Sequence, residues 1–383
     1  MNEMTPKAAA QLADEVYDVW DHDFLAAYLN KPELFGTPAT GKKLEAQIGA
    51  MLWKSPDAFG VFSRGGGAYS NDLFLVFRGT SKARDWLSNA SIGIEFSKTG
   101  LPVHIGFNQI FSSVLAGIKE FLAKKTSATG TIHCVGHSLG GAVANLAADW
   151  LKKNHANSVK LYTFGAPRPG VFWFARTLGT RLKEQNIYRV YHKTDPVPML
   201  PLYPFTHAPV SNFGHQVYSS DAIVSAEAHA MGRYRKSVSQ TDWAGLHGTL
   251  APFHIDHVIE QWLRSDISPN RADSRIWEWL NSAIIWVLKK VAIGAMAVVQ
   301  NTVVGLYTIA DKLAWILKSG IDLTKEGGFW VERLMRKILQ VLGMGLEGIK
   351  SLTQAFIRRV LLSLMEQMTL QARAAIRSLF GPR

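Results

Sequence analysis

The segment that most constrains this chain is Gly136-His137-Ser138-Leu139-Gly140, set between an apolar run, Thr131–Val135, and an Ala-rich helical pattern, Ala142–Lys153. A strand that turns into a helix within five residues brings backbone against backbone, and the flanking glycines leave room for that. The turn holds the serine hydroxyl clear of the sheet at a helix N-terminus, where developing negative charge is favoured. The spacing alone recurs by chance, so its surroundings carry the weight. They are an alternation. Strands are expected at Ala58–Ser63, Leu73–Phe77, Thr131–Val135, Val159–Phe164 and Ile187–His192, and helices near 8–29, 108–125, 142–153 and 171–184. Such alternation makes βαβ units and a mostly parallel sheet covered on both faces, an α/β fold.

A serine in that turn needs a base, and the base needs an orienting carboxylate. Asp195 follows the strand Ile187–His192 and opens Asp195-Pro196-Val197-Pro198, just past a strand C-terminus, where open α/β sheets place functional groups. The histidine comes last in this order of three. Six follow Asp195: His207, His215, His229, His247, His254 and His257. His254, after Ala251-Pro252-Phe253 and at the start of an amphipathic helix to Arg264, is the expected base. His257, one turn on, is the second choice.

Residues 73–262 resemble the class 3 lipases, a family of fungal triacylglycerol lipases with bacterial and plant relatives. The resemblance is carried by an ordered series: Phe77-Arg78-Gly79-Thr80 with Asp85-Trp86-Leu87-Ser88-Asn89, Val103-His104-Ile105-Gly106-Phe107, the Gly136–Gly141 turn, Thr163-Phe164-Gly165-Ala166-Pro167-Arg168-Pro169-Gly170, the Asp195 segment, and Phe213-Gly214-His215. It implies an α/β-hydrolase fold, an oxyanion hole made by the backbone N–H groups of Leu139 and Thr80, and a lid over Ser81–Ile94 bearing Trp86, Leu87, Ile92 and Ile94. The family usually carries a tyrosine shortly after its base. Val258 and Trp262 follow His254 instead.

Beyond Ser265–Arg275 the pattern changes to helix without strand signals, which divides the chain into 1–268 and an all-α module, 269–383, as in a bacterial-like member of the family. The charge is uneven as well. Of a net +12, residues 271–383 supply +8, from 16 Lys/Arg against 8 Asp/Glu. Val291–Ala310 has no charge over twenty residues, enough for a helix of about 30 Å, the thickness of a bilayer core. Gln300, Asn301, Thr302 and Thr308 argue for a helix buried in protein instead. Phe329–Leu370 repeats apolar residues at three- and four-residue steps, with Arg333, Arg336, Lys337, Lys350, Arg358 and Arg359 largely on other faces, as in a basic helix lying on anionic lipid.

These features point to hydrolysis of lipid carboxylic esters, with membrane phospholipid as the first substrate class and neutral triacylglycerol as the second. A pore-forming or membrane-disrupting protein on a hydrolase scaffold is the alternative. No metal or cofactor is called for, and one cysteine, Cys134, builds neither a disulfide nor a thiolate metal cluster. The expected partners are lipid substrate and an anionic membrane surface met by the C-terminal helices, with a cognate inhibitor or secretion partner as further contacts. Nucleic acid is not expected, because no binding motif accompanies the charge. The N-terminus has no apolar leader pattern, so the chain is expected to be made in the cytoplasm and to leave, if it leaves, by a non-Sec route. If the module is only a membrane anchor, a chain ending near Ser268 keeps its activity on soluble esters.

Overall fold

The computed structural model describes residues 3–18, 46–50, 58–65, 67–79, 93–123, 130–210, 214–219, 221, 224–246, 255–271, 273, 275–291 and 309–378. The strands are β1 Ala46–Ala50, β2 Ala58–Arg64, β3 Leu73–Phe77, β4 Ile94–Phe96, β5 Pro102–His104, β6 Ile132–His137, β7 Val159–Phe164, β8 Gly170–Val171, β9 Ile187–His192, β10 Phe205–Thr206 and β11 His215–Val217. The helices are α1 Pro6–Glu15, α2 Ile105–Ala123, α3 Leu139–Asn154, α4 Phe172–Leu182, α5 Met231–Ser237, α6 Asp256–Arg264, α7 Ile276–Val291, α8 Ile309–Leu323, α9 Lys325–Leu342 and α10 Gln354–Ser378.

Seven strands form one sheet in the order β1-β2-β3-β6-β7-β9-β11. β2 is antiparallel to both neighbours, and β3 through β11 pair in parallel. The strand sequences explain why the sheet is covered on both sides. In β3, Leu73, Leu75 and Phe77 enter one apolar cluster with Cys134 and Leu161, while Phe74 and Val76 enter another with Val135 and Tyr162. Alternate side chains thus feed two cores, as a buried parallel sheet requires. The first core is filled by α2, α3 and α4, and the second by α1 and α5. α1 starts where its sequence dictates: Thr5 accepts from the Ala8 N–H at 3.2 Å, and Pro6 opens the helix. This mostly parallel sheet with its strand–turn–helix serine is an α/β-hydrolase core.

A second sheet, β10-β8-β5-β4, flanks the first. It contains Ile94, which the sequence placed in the lid. Ile94 pairs with His104 and is buried in the core cluster, so it is a strand residue. Trp86, Leu87, Ile92 and Thr80 lie outside the described residues.

The C-terminal helices join the first core. Trp277, Leu280, Ile284, Leu313, Leu317, Leu334, Ile338, Val360 and Leu364 belong to the same continuous cluster as Leu75 and Leu161. The boundary expected at 268/269 therefore crosses a shared apolar interior. The long basic helix expected over 329–370 is two helices, because Gly343 ends α9 in the left-handed conformation at φ 69°. Its apolar stripe faces protein, and several of its cations are engaged. Arg333 pairs with Asp266 at 2.6 Å, Arg336 with Glu332 at 2.8 Å, and Arg358 with Asp311. Lys337 is buried, donating to Ser265 O at 2.8 Å, Ser265 Oγ at 3.0 Å and Ile267 O at 2.7 Å, which caps the C-terminal end of α6. Burial, helped by Arg333, pushes its ammonium down to about 8. Among the described residues no helix is long and apolar enough to cross a membrane. Most of the 291–310 segment, residues 292–308, lies outside them.

Candidate active site

Ser138 sits at the junction of β6 and α3 with φ 57° and ψ −133°, a conformation that non-glycine residues adopt only under strain. The glycines around it are dictated by contact. A Cβ on Gly136 would stand 2.3 Å from Gly140 O, and one on Gly140 would stand 2.3 Å from Phe77 O. The turn is held by Ser138 N–H donating to Phe164 O at 3.0 Å and Gly141 N–H to Ser138 O at 2.9 Å. Leu139 opens α3, so its backbone N–H lies at the positive end of a sixteen-residue helix.

The ring that meets Ser138 is His229. Its Nε2 lies 2.8 Å from Ser138 Oγ, and its Nδ1 lies 2.8 Å from Asp195 Oδ2. His229 ends a short 3-10 turn, Glu227–His229, ahead of α5. The place that sequence reading gave to His254 is thus filled by His229. His254 lies outside the described residues, and His257 is exposed on α6. The usable sequence signal was Tyr234, five residues past His229, because the resemblance called for a tyrosine soon after the base. Tyr234 Oη donates to Asp195 Oδ2 at 2.6 Å and accepts from His192 N–H at 3.1 Å. Burial and the Asp195 charge hold its phenol well above the ordinary range, which keeps the donated proton in place. Asp195 Oδ1 accepts from Val197 N–H at 2.9 Å. The carboxylate therefore has a donor on each oxygen besides the imidazole, so it has one orientation.

A second buried chain of hydrogen bonds lies beneath this one. His137 Nε2–H donates to His229 O at 2.9 Å, so its Nδ1 is the acceptor for Tyr17 Oη at 2.7 Å. Tyr17 Oη in turn accepts from Gly79 N–H at 2.8 Å. Burial holds the His137 imidazole far below its usual range, and the neighbouring His229 and His192 push the same way. A neutral His137 thus joins the segment before Thr80, the serine turn and the backbone of the base. Ser138, His229 and Asp195 are all buried, the last two fully. Among the described residues no group of three His, Cys, Asp or Glu side chains is placed to hold a metal ion.

The Lipase (class 3) family profile matches residues 74–205, which carry the serine turn and Asp195. This segment is similar to the class 3 lipases. The secreted mono- and diacylglycerol lipase 1 of Fusarium solani is 37% identical over 134 residues, 34% of this chain and 39% of that protein. The chloroplastic phospholipase A(1) DAD1 of Arabidopsis thaliana is 27% identical over 152 residues, covering 34% of each chain. The chain spans less than half the length of either relative. Among solved structures, the Rhizomucor miehei triacylglyceride lipase aligns at 22% identity and a TM-score of 0.41, over 56% of this chain and 79% of that one. His229, Tyr234 and all the C-terminal helices lie beyond the class 3 segment.

Proposed function

We propose that this chain hydrolyses carboxylic esters of lipids through an acyl-enzyme on Ser138. The observation that carries the reading is the line from Ser138 Oγ through His229 to Asp195, with 2.8 Å at each step, on a strained serine turn. His229 Nδ1–H donates to Asp195, which leaves Nε2 to take the Ser138 proton as Oγ attacks the ester carbonyl. The tetrahedral oxyanion is stabilised by Leu139 N–H and the α3 dipole, with Thr80 N–H as the second donor that the family resemblance implies. His229 then gives the proton to the departing alkoxide, and water repeats the cycle on the acyl group. Asp195, fixed by Val197 N–H and Tyr234, keeps the imidazole in the required tautomer.

Within lipid esters, the reading extends to glycerophospholipids at an anionic surface. Its support is the net +8 over 271–383 and the presence of both acylglycerol lipases and a phospholipase A(1) among the relatives. With the apolar stripes of α9 and α10 packed inward, attraction to the surface is electrostatic and hence weakened by salt. The test is fatty-acid release from defined phospholipids and glycerides, followed by mass spectrometry at low and high salt. Ester hydrolysis that persists in Ser138→Ala removes the mechanism. Equal rates on neutral and anionic vesicles remove the preference.

A further inference from the structure

The lipase segment contains a buried cation whose counter-charge comes from outside that segment. Arg168, in the loop after β7, has a side chain only 4% exposed. Its backbone N–H donates to Leu200 O at 2.7 Å, and its Nη1 donates to Pro201 O at 3.0 Å and to Met199 O. Arg168 therefore grips three successive carbonyls, beginning four residues after Asp195. Its Nη2 donates to both carboxylate oxygens of Glu278, at 3.0 and 3.2 Å. Glu278 stands in the first turn of α7. One turn further on, the buried Asn281 Oδ1 accepts from Tyr203 N–H at 3.1 Å, on the same loop. The C-terminal helices also reach the base, since α10 packs against the Glu227–His229 turn.

A guanidinium out of water keeps its place only while it is paired and its donors are satisfied. Here one face of the guanidinium holds the Asp195 loop and the other is held by Glu278. The loop is short and continuous with the catalytic carboxylate: Val197 N–H fixes Asp195 Oδ1, and Met199 to Tyr203 follow directly. Slack in residues 199–203 is thus transmitted to the carboxylate that orients His229.

We infer that Glu278 and Asn281 are positioning residues for Asp195, so that the C-terminal helices complete the catalytic site and activity depends on their docking. The inference rests on the Ser138–His229–Asp195 reading above. Neither residue touches substrate. Each acts through the loop, so its loss lowers turnover and leaves substrate affinity alone. A misplacement of about 1 Å away from the reacting atoms can cost up to about 100-fold in rate.

The experiment uses the full chain with Glu278→Gln, Asn281→Leu, Asn281→Asp and, as a control on the extension's surface, the exposed Glu366→Gln. kcat and KM are measured on a soluble short-chain ester well below each variant's unfolding midpoint, together with the rate of inactivation by a fluorophosphonate, which reads Ser138 nucleophilicity. The expected result is a fall of at least about tenfold in kcat and in inactivation rate for Glu278→Gln and Asn281→Leu, with KM unchanged. Glu366→Gln should stay near the parent, and Asn281→Asp, which keeps the accepting oxygen, should retain more kcat than Asn281→Leu even where its buried charge lowers the unfolding midpoint. Because Asn281→Leu removes one hydrogen bond and no charge, it decides the matter even where Glu278→Gln does not fold. A lowered unfolding midpoint with parental kcat in Asn281→Leu overturns the inference and leaves a purely structural contact. Activity in Ser138→Ala would instead sink the underlying site, a separate outcome.

Discussion

The sheet core and the C-terminal helices bury apolar surface in opposite ways. In β3, β6, β7 and β9 nearly every residue is buried, and their histidines are hydrogen-bonded inside: His133 with Asp72, His137 with Tyr17 and His229, His192 with Ala228 O and Ser237. In α9 and α10 the buried residues form one stripe, with Arg333 and Arg358 in ion pairs at its rim and Lys337 buried as the cap of α6. A strand covered on both faces states in its own sequence that it is interior. An amphipathic stripe states only that something covers it. Bilayer, partner and neighbouring helices all satisfy the same pattern, and here the cover is chiefly α7 and α8, within an apolar cluster continuous with the sheet core.

The comparison breaks most completely if the two regions can be separated. A chain ending near Ser268 would cut the apolar cluster that the Asp195 loop shares with α7 to α10, and leave Arg168 without Glu278 and Tyr203 N–H without Asn281. Leaving one half of a buried ion pair alone costs about 3–5 kcal/mol, a large share of the roughly 5–15 kcal/mol that holds a domain together. The expected outcome is an insoluble or unfolded product, inactive on soluble esters and vesicles alike. A monodisperse fragment with full short-ester turnover would restore the picture of a detachable anchor.

The next largest effect tests where the chemistry resides. His229→Ala should lower kcat on a short ester by about 10⁴-fold or more, while His254→Ala stays within a few-fold of the parent. The reverse pattern would move the base out of the 3-10 turn. Tyr234→Phe is smaller, because Asp195 keeps its bonds to His229 and Val197. One lost hydrogen bond to a charged group is worth about 1.5–3 kcal/mol, so a fall of about tenfold or more in kcat is expected, read at constant KM.

A last test separates the regions by pH. Burial lowers the imidazoles of His133, His137, His192 and His207 below their ordinary value, all in the core, whereas residues 276–383 contain no histidine. A depressed folded-state value means that the unfolded chain takes the proton first. The stability these rings contribute is therefore complete above about pH 6.5 and is lost as pH falls below it, by up to about 1.4 kcal/mol per pH unit for each proton. Unfolding midpoints between pH 7.5 and 5 should fall, and His207→Gln should flatten the slope. Leu334→Ala in α9, which opens a cavity without touching a titrating group, should lower every midpoint by about the same amount. A slope that changes with Leu334 would show that the acid response spans both regions.

Much of the core was readable because its signals are local. Leu73–Phe77, Val159–Phe164 and Ile187–His192 are strands with the expected bounds, since runs of five or six residues dominated by apolar, aromatic and β-branched types between turns have few other outcomes. The serine turn was readable because backbone contact forces glycine at fixed positions. Asp195 lies just past β9, as its sequence position indicates, and there meets His229 Nδ1. His229 was among six histidines with no local mark beyond Tyr234, and its flanking sequence, a single 3-10 turn, has no periodicity to read. Its role exists only where that turn comes within 2.8 Å of both Ser138 and Asp195.

What the sequence determined by itself is the α/β layering, the sharp serine turn and the helical character of the described residues beyond 276, because periodicity and steric exclusion act between neighbours in the chain. Only the tertiary structure decided which histidine meets the serine, that Ile94 belongs to a strand, that Lys337 is buried as a helix cap, and that Glu278 pairs with Arg168, 110 residues away. Those are pairings between distant segments. Several charges and rings of each type could fill them, and the choice falls to whichever group the fold brings within hydrogen-bond reach while excluding water from the rest.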